Sequence, residues 1–262
     1  MNVFEKITLP EVKKIIVVAS GKGGVGKSTV SVNLAIGLAR QGFKTALVDA
    51  DIYGPSIPRM MGIENEKPDV SALGDKEIIF PIEKFGVKVM SIGFFIDRNQ
   101  GLIWRGPMAA KAITQLFEDT QWGEIDYMVV EFPPGTGDIQ LTTVQKLNIH
   151  GALIVTTPQE IALNDARKAA SMFKNDDLSV PVLGIIENMS WFTPAKHPDE
   201  KYYIFGSDGG ETLAKEIGTK LLGQIPLVME IGEAAEKGIT VYNQSDKSVS
   251  AAFEKIVEQL IQ

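Results

Sequence analysis

The sequence contains no cysteine among its 262 residues. This absence excludes disulfide bonds, thiolate nucleophiles and any metal site built from cysteine ligands of this sequence. Long apolar runs are absent too, since no stretch approaches the roughly 18–20 residues that span a bilayer. The first residues also lack the basic start and long apolar segment of a signal peptide. We therefore expect a soluble, cytoplasmic protein that has no membrane partner.

Positive charge is also scarce. Lysine and arginine total 26 against 33 aspartate and glutamate residues, which gives a net charge of −7 and an isoelectric point near 5.0. A chain with this balance has no general affinity for nucleic acid or anionic membranes. The last helical segment, 248–261, has no basic polar face of the kind that binds membrane surfaces. Its apolar residues recur at helical spacing, which predicts packing against a sheet: Phe253, Ile256, Val257, Leu260 and Ile261.

The composition, 44% apolar and 23% charged, is that of a globular protein that can bury a sizeable core. Short apolar runs alternate with helical patterns, which predicts an α/β fold with a doubly wound, mostly parallel sheet and helices on both faces. We expect one domain over residues 1–262, with residues 1–13 as an N-terminal extension and 65–83 as an excursion from the sheet. The predicted strands are 14–19, 45–49, 87–92, 127–131, 152–156, 182–186 and 221–224. The predicted helices are 30–39, 108–117, 159–173, 210–217 and 248–261.

The first strand is followed by GKGGVGKST at positions 21–29, which fits the phosphate-loop pattern G-x-x-x-x-G-K-[ST]. A buried strand, a glycine-rich loop and a helix N-terminus together can hold phosphates through backbone N–H groups. In this interpretation the N–H groups of residues 23–26 face the β-phosphate. Lys27 places its ammonium between the β- and γ-phosphates, and the Ser28 hydroxyl coordinates Mg²⁺. The sequence therefore predicts a nucleotide site.

Lys22 is additional to the phosphate-loop pattern. A lysine here could meet charge that develops on a phosphate during transfer, either from its own subunit or from a facing one. The alternative is an ordinary solvated loop lysine, and the spacing alone does not decide between the two.

Acidic residues follow two further strands. Asp49 and Asp51 lie at the carboxyl end of the second strand, where ligands bind in doubly wound folds. One could hold the water shell of a metal and the other could orient an attacking water, or both could simply form the turn before Gly54-Pro55. Glu131 ends the fourth strand and could accept a hydrogen bond from Mg²⁺-bound water. The N–H of Gly135 in the following loop could meet the γ-phosphate.

The loop GKGGVGKST resembles the deviant phosphate loop of the ParA/MinD class of dimeric ATPases. Six later segments narrow the resemblance to the Mrp/ApbC family of ATP-binding iron–sulfur cluster carriers, and they cover almost the whole chain in order. These segments are DIYGPSIP (51–58), RGPM (105–108), PPGTGD (133–138), TTPQ (156–159), ENMS (187–190) and IFG (204–206).

The resemblance implies a homodimer with ATP and Mg²⁺ as cofactors, and iron–sulfur assembly or recipient proteins as partners. Lys22 would reach the nucleotide of the partner subunit, Asp51 would orient water, and Asn188 would contact the adenine. Mg²⁺ would be held at Ser28, Asp51 and Glu131. The resemblance also implies that the nucleotide is bound by Gly21, Lys22, Gly23, Gly24, Val25, Gly26, Lys27, Thr29 and Gly135.

The sequence departs from the family pattern in two segments, at Pro194 and His197 and at Glu131. Pro194 and His197 lie near the place where the family carries a C-x-x-C pair, so a cluster held by four thiolates is excluded for this chain. We interpret His197 as an ordinary loop histidine rather than a ligand. Glu131 replaces an aspartate and is longer by about 1.3–1.5 Å. It could ligate Mg²⁺ directly, displace a water or turn away, and we expect nucleotide binding to survive with altered hydrolysis.

These features favour an Mg²⁺-ATP-dependent homodimeric ATPase of the Mrp/ApbC type, acting in iron–sulfur cluster assembly or transfer, and the absence of cysteine argues against direct binding of the cluster. The alternative is a dimeric interaction protein of the ParA/MinD type that ATP switches and that acts on a protein partner. A small-molecule kinase fits less well, since it leaves Lys22 and the later motifs unexplained.

Overall fold

The central element of the computed structural model is an eight-stranded sheet. The model describes residues 6–74, 76–96, 106–194, 196–197, 199–244 and 247–262. The sheet strands are β1 (Val12–Ala19), β2 (Thr45–Asp49), β5 (Ile82–Lys84), β6 (Val87–Ser91), β7 (Ile125–Glu131), β8 (Gly151–Thr156), β9 (Val182–Glu187) and β10 (Leu221–Gln224). They follow the order β10-β9-β8-β1-β7-β2-β6-β5, and all neighbours are parallel except β5 and β6. The predicted α/β fold is confirmed.

The inner strands are buried along most of their length. Residues 15–19 of β1 and all of β2 and β8 are buried, so both faces of the sheet are covered there. The strand β1 lies between β7 and β8, which come more than a hundred residues later. The carboxyl ends of β1, β2 and β7 consequently meet at one edge of the sheet, where the phosphate loop and Glu131 are located.

Neighbouring helices pack against one another in pairs. The helix that follows the phosphate loop, α1, packs with the C-terminal helix α8, while α3 packs with α4 and α5 packs with α6. Two helices, α4 and α7, and the single turn α2 were not predicted from the sequence. The helix bounds are α1 (Lys27–Arg40), α2 (Ile57–Met60), α3 (Gly106–Glu118), α4 (Asp138–Lys146), α5 (Glu160–Lys174), α6 (Gly209–Ile217), α7 (Met229–Lys237) and α8 (Lys247–Ile261).

The segment predicted to leave the sheet at residues 65–83 does so up to Phe80. It forms an antiparallel hairpin of β3 (Asp69–Leu73) and β4 (Lys76–Phe80), separate from the main sheet, and the chain then re-enters that sheet as β5. Ile79 ties the hairpin to the body of the protein through backbone hydrogen bonds with Asp119 and Gln121. The predicted excursion is therefore a short β arm, and its last residues, 82–83, belong to the main sheet.

The C-terminal helix packs as predicted. Phe253, Ile256 and Val257 of α8 are buried, and the helix contacts α1 and the edge strand β10. In the described part of the chain, no helix combines the length and apolar character that crossing a membrane requires.

Candidate functional site

The phosphate loop connects β1 to α1 at the carboxyl edge of the sheet. Gly24 and Gly26 have φ of 81° and 85°, values that side-chain-bearing residues rarely adopt. Gly26 caps α1, and its carbonyl accepts from Val30 N at 3.0 Å, so the helix begins at Lys27. The two glycines thereby turn the chain sharply enough to aim the start of α1 at the loop.

The backbone of this loop forms a cradle for an anion. Among the described residues, no acceptor is found for the N–H groups of residues 23–29, which include the first turn of α1. Unpaired N–H groups at a helix N-terminus favour negative charge. They open onto a cleft of about 360 Å³. Its lining includes Lys22, Gly23, Gly24, Gly26, Lys27, Ser28, Thr29 and Asp51.

Lys27 is the centre of a buried charge cluster beneath the cleft. Its Nζ lies 2.6 Å from Glu131 Oε1 and 3.2 Å from Asp51 Oδ2. The Ser28 hydroxyl donates to the same Glu131 Oε1 at 2.6 Å. Glu131 is only 1% exposed, and its second oxygen, Oε2, is buried without a hydrogen-bond partner in the described residues. One carboxylate oxygen thus holds both functional groups of the Gly-Lys-Ser signature.

Burial and charge compete in this cluster. Burial lowers the pKa of Lys27, but the carboxylates of Glu131 and Asp51 raise it by more, so the net pKa lies above the usual value. Burial raises the pKa of Glu131, although the Lys27 ammonium opposes the rise. Lys27 therefore stays charged at neutral pH, and its charge is the main stabilisation that Glu131 has in this position.

Asp49 and Asp51 occupy different positions relative to the cleft. It is fully buried, and its carboxyl accepts from Ser91 Oγ at 3.0 Å and from the N–H groups of Asp51 and Ile57, each at 3.2 Å. Burial, with a further contribution from Glu131, raises the pKa of Asp49 well above its usual range. Asp49 therefore braces the turn after β2, whereas Asp51 reaches the cleft. Neither the water-shell role nor the water-orienting role is tested by this placement, and both stay predictions.

The oxygen donors of the cluster suit Mg²⁺. Ser28 Oγ, Asp51 and Glu131 are hard ligands, and the unpartnered Glu131 Oε2 has lone pairs available. Among the described residues, no group of three or more His, Cys, Asp or Glu side chains forms a metal cage. Mg²⁺ in general takes one or two carboxylates, water and substrate phosphates instead of a protein cage.

The side chain of Lys22 lies at the rim of the cleft, half-buried, and has no ion pair within the described part of the chain. The backbone around it is fixed, because Ser20 Oγ donates to Lys22 O at 2.9 Å. Gly135 has φ of 95°, and its N–H donates to Ser20 O at 3.0 Å. The loop after β7 is thereby tied to the end of β1, and the γ-phosphate contact of Gly135 stays a prediction.

Asn188 lies against the phosphate loop from β9. It is buried, and its Nδ2 donates to Val25 O at 2.9 Å. A Cβ at Gly26 would lie 2.0 Å from the same Nδ2. Asn188 thus supports the backbone of the loop, a contact that the sequence did not reveal, and its predicted contact with adenine is untested.

Gly21 contacts α5 instead of the cleft. A Cβ on Gly21 would lie 2.0 Å from the carbonyl carbon of Asp165 and 2.5 Å from Ala166 N, which are backbone atoms that cannot rotate away. The glycine therefore lets the loop rest directly on α5. Gly21 is therefore required both by the phosphate-loop motif and by the packing against α5. The sequence predicted only the first of these.

The segment near the family's cysteine positions folds back on itself. Phe192 and Tyr202 exchange backbone hydrogen bonds of 2.9 and 2.8 Å, and Lys201 Nζ lies 4.0 Å from the centre of the Trp191 ring. His197 is exposed, with Nδ1 3.2 Å from Glu200 Oε1, and no metal-binding cluster of the described residues includes it. Residues 195 and 198 lie outside the described residues, as does Arg105 of the RGPM segment.

Comparison with known proteins gives consistent matches. The sequence model described as "ParA: NUBPL iron-transfer P-loop NTPase" matches residues 11–261. The "Iron-sulfur cluster carrier protein" of Aquifex aeolicus (strain VF5) is 45% identical over 261 residues, covering 99% of this chain and 70% of that protein. The "Iron-sulfur protein required for NADH dehydrogenase, mitochondrial" of Arabidopsis thaliana is 46% identical over 98% of this chain and 80% of its own length.

Solved structures share the architecture. A nucleotide-binding protein of Archaeoglobus fulgidus, in complex with ADP, superposes with a TM-score of 0.76 at 36% identity, over 89% of this chain and 90% of that one. The Pyrococcus furiosus cell division ATPase MinD superposes with a TM-score of 0.67 at 24% identity, over 95% and 98%. The second likeness concerns the fold alone.

Proposed function

Because the chain belongs to the ParA family of P-loop NTPases, in its NUBPL iron-transfer group, we propose that it is a cytoplasmic, homodimeric ATPase of iron–sulfur cluster assembly or transfer. The observation that carries the proposal is the meeting of Lys27 and Ser28 with the unpaired N–H groups of the loop in one cleft. These are the groups that bind the triphosphate and its metal in P-loop NTPases.

Nucleotide binding follows from the charges of the cleft. The N–H groups of residues 23–26 would face the β-phosphate, and the Lys27 ammonium would move from Glu131 and Asp51 to the phosphates. Mg²⁺, held by Ser28, Glu131 and Asp51, would neutralise the charge on the β- and γ-phosphate oxygens. The ADP complex of the Archaeoglobus fulgidus relative supports a nucleotide in this fold.

Hydrolysis needs a positioned water and a second cation. Asp51 is the carboxylate that lines the cleft, so we assign it to orienting the water that attacks the γ-phosphate. Lys22, at the rim and without an ion pair among the described residues, is the cation that reaches the γ-phosphate of a facing subunit as charge develops.

The carboxyl edge of the sheet also offers exposed apolar side chains to a second copy of the chain. Exposed apolar side chains follow five different parallel strands at the same edge of the sheet, each within five residues of the strand end. Exposed apolar side chains at one edge of the sheet favour association. They are Tyr53, Phe95, Ile161, Phe192 and Met229.

Substitution of Lys22 tests whether two subunits share the nucleotide site. We expect Lys22→Ala to reduce Mg²⁺-ATP turnover at least about 100-fold, because charge developing on the phosphate loses its partner. Nucleotide affinity of the single subunit should stay within about threefold, since Lys27 and the N–H cradle remain. Turnover, calorimetric affinity and mass by light scattering, each with ATP and ADP, would measure this.

Lys168→Ala is the matched control, as this exposed lysine on α5 pairs only with Asp165 in the described structure. It should leave turnover and mass unchanged. An Lys22→Ala variant with normal turnover and an ATP-dependent dimer would remove Lys22 from the mechanism. A protein that neither binds nor turns over Mg²⁺-ATP would contradict the proposed function itself.

The iron–sulfur cluster requires a partner protein to hold it. The chain has no cysteine, and the described residues offer no cluster of nitrogen or carboxylate ligands in its place. We therefore propose that iron–sulfur clusters are carried by assembly or recipient proteins, and that ATP binding controls contact with them. The acidic net charge makes nucleic acid and anionic membranes poor partners.

A second candidate function follows from the absence of cysteine. If ATP only closes the dimer and presents a surface, the chain is a switched interaction protein, as in the ParA/MinD class. The exposed apolar edge of the sheet favours this version, because it lies where a nucleotide-dependent closure would act.

Anaerobic reconstitution tests the question of cargo. We expect the purified chain, incubated with iron and sulfide, to keep much less than one cluster per dimer, because thiolates are absent. Iron counting and visible absorbance after desalting would measure this. A stoichiometric, stable cluster on this cysteine-free chain would contradict the assignment of the cargo to partner proteins.

A further inference from the structure

Gln140, in the first turn of α4, holds the loop that follows β7. Its Nε2 donates to Pro133 O at 3.1 Å and to Pro134 O at 2.9 Å. Gln140 is only 4% exposed, and two carbonyl acceptors require that the NH₂ end of its amide faces the loop. Both hydrogens of one buried amide are therefore used by two consecutive backbone carbonyls.

These two carbonyls would otherwise be unfavourable beside an anion. Pro133 and Pro134 have no backbone N–H, so the backbone of each can offer only a carbonyl oxygen. Pro134 lines the nucleotide cleft together with Lys22 and Gly23. A carbonyl oxygen carries partial negative charge, and one that turned into the cleft would repel a phosphate. The hydrogen bonds from Gln140 hold both oxygens towards α4.

The N–H groups of the next residues are differently placed. Gly135 N–H donates to Ser20 O at 3.0 Å, which ties the loop to the end of β1. Thr136 and Gly137 are exposed, and their N–H groups find no acceptor among the described residues. They lead directly into the N-terminus of α4, where the helix dipole also favours negative charge. The loop is thus held at its carbonyls and free at two of its donors.

We propose that Gln140 is a positioning residue through which the site recognises the terminal phosphate of a nucleoside triphosphate. By binding the two proline carbonyls, its amide fixes the loop so that N–H groups, and not carbonyl oxygens, meet the γ-phosphate. A diphosphate lacks this group and binds without help from Gln140. Gln140 therefore distinguishes triphosphate from diphosphate by acting through the loop. The inference rests on the proposed function and deepens it at the same cleft.

The test compares Mg²⁺-ADP with a non-hydrolysable Mg²⁺-ATP analogue by calorimetry, so that hydrolysis plays no part. Gln140→Met keeps an unbranched side chain of similar length but removes both donors. It should bind the ATP analogue about tenfold or more weakly than the native protein, because hydrogen bonds to a charged phosphate are lost. Its affinity for Mg²⁺-ADP should stay within about threefold. In a parallel turnover assay, kcat for Mg²⁺-ATP should fall at least about tenfold.

Two further variants separate the role of the amide from folding. Gln140→Glu keeps the native shape but cannot donate when ionised, so it should show the same selective loss for the ATP analogue. Thr143→Val is the matched control. Thr143 is also buried on α4, but its hydroxyl donates to Ile139 O at 2.7 Å, within the helix and not to the loop. This variant should keep the native affinity for both nucleotides.

Selective weakening of the ATP analogue in Gln140→Met and Gln140→Glu, with Thr143→Val unchanged, supports the inference. Unchanged affinity for the ATP analogue, or equal weakening of both nucleotides in both Gln140 variants, would reduce Gln140 to a structural residue. Either result would overturn the inference and leave the proposed function intact. A native protein that binds neither nucleotide would instead overturn the proposed function, and the inference with it.

Discussion

Lys27→Ala is expected to lower kcat/KM for Mg²⁺-ATP by about 100- to 1,000-fold, because a preorganised charge is removed from the phosphates. The loss should exceed that of other loop substitutions, since Lys27 is buried and its ammonium already lies at the floor of the cleft. Binding should weaken as well, as seen in calorimetric affinity for Mg²⁺-ADP.

The same substitution should destabilise the nucleotide-free protein. It leaves Glu131 buried without its cation, which typically costs about 3–5 kcal/mol when one partner of a buried pair is removed. The double variant Lys27→Ala/Glu131→Gln removes the uncompensated charge and should recover most of the stability but none of the turnover. Urea unfolding and turnover on both variants measure the two effects separately. Normal turnover in Lys27→Ala would exclude this cleft as the catalytic site.

Phe253→Ala is expected to lower the free energy of unfolding by about 3–5 kcal/mol, the usual cost of a large cavity in a core. Phe253 is fully buried, and α8 contacts both α1 and β10, so the cavity would open between the C-terminal helix and the sheet. For a chain of this size the melting temperature should fall by roughly 6–20 °C.

The matched control for this prediction is Glu258→Ala, an exposed position on the same helix. It should change the free energy of unfolding by less than about 0.5 kcal/mol. Thermal and urea unfolding of both variants without nucleotide would test the pair. Equal stability of Phe253→Ala and the native protein would mean that α8 does not pack against the body in solution.

The sheet and the phosphate loop could be predicted from the sequence because each depends on local pattern. Apolar runs such as 45–49 and 152–156 read as buried parallel strands, and their bounds in the structure differ by at most one residue. The loop follows from the spacing of Gly21, Gly26 and Lys27, which is set by phosphate geometry rather than by the rest of the chain.

The contacts across the site could not be predicted in this way, since they join residues far apart in the chain. Nothing near Asn188 in sequence indicates a hydrogen bond to Val25, 163 residues away. Asp49 and Asp51 read as equivalent acids, and only their contacts separate them: Asp49 accepts hydrogen bonds from the turn after β2, whereas Asp51 lines the cleft and pairs with Lys27. The two strands of the β arm, β3 and β4, were not predicted, because the charges and prolines of the segment obscure a weak alternation of apolar and polar residues.

The place of β1 in the sheet also constrains how the chain can fold during synthesis. Its neighbours pair Lys14 with Tyr127 and Ile16 with Gly151, so the strand that carries the phosphate loop has no partner until more than a hundred further residues have been made. Non-local parallel pairing of this kind is slow and leaves an apolar strand open to wrong contacts. The nucleotide site is thus assembled only after residues far from the phosphate loop have been made, and a nascent chain that stops before β8 would leave one edge of β1 unpaired.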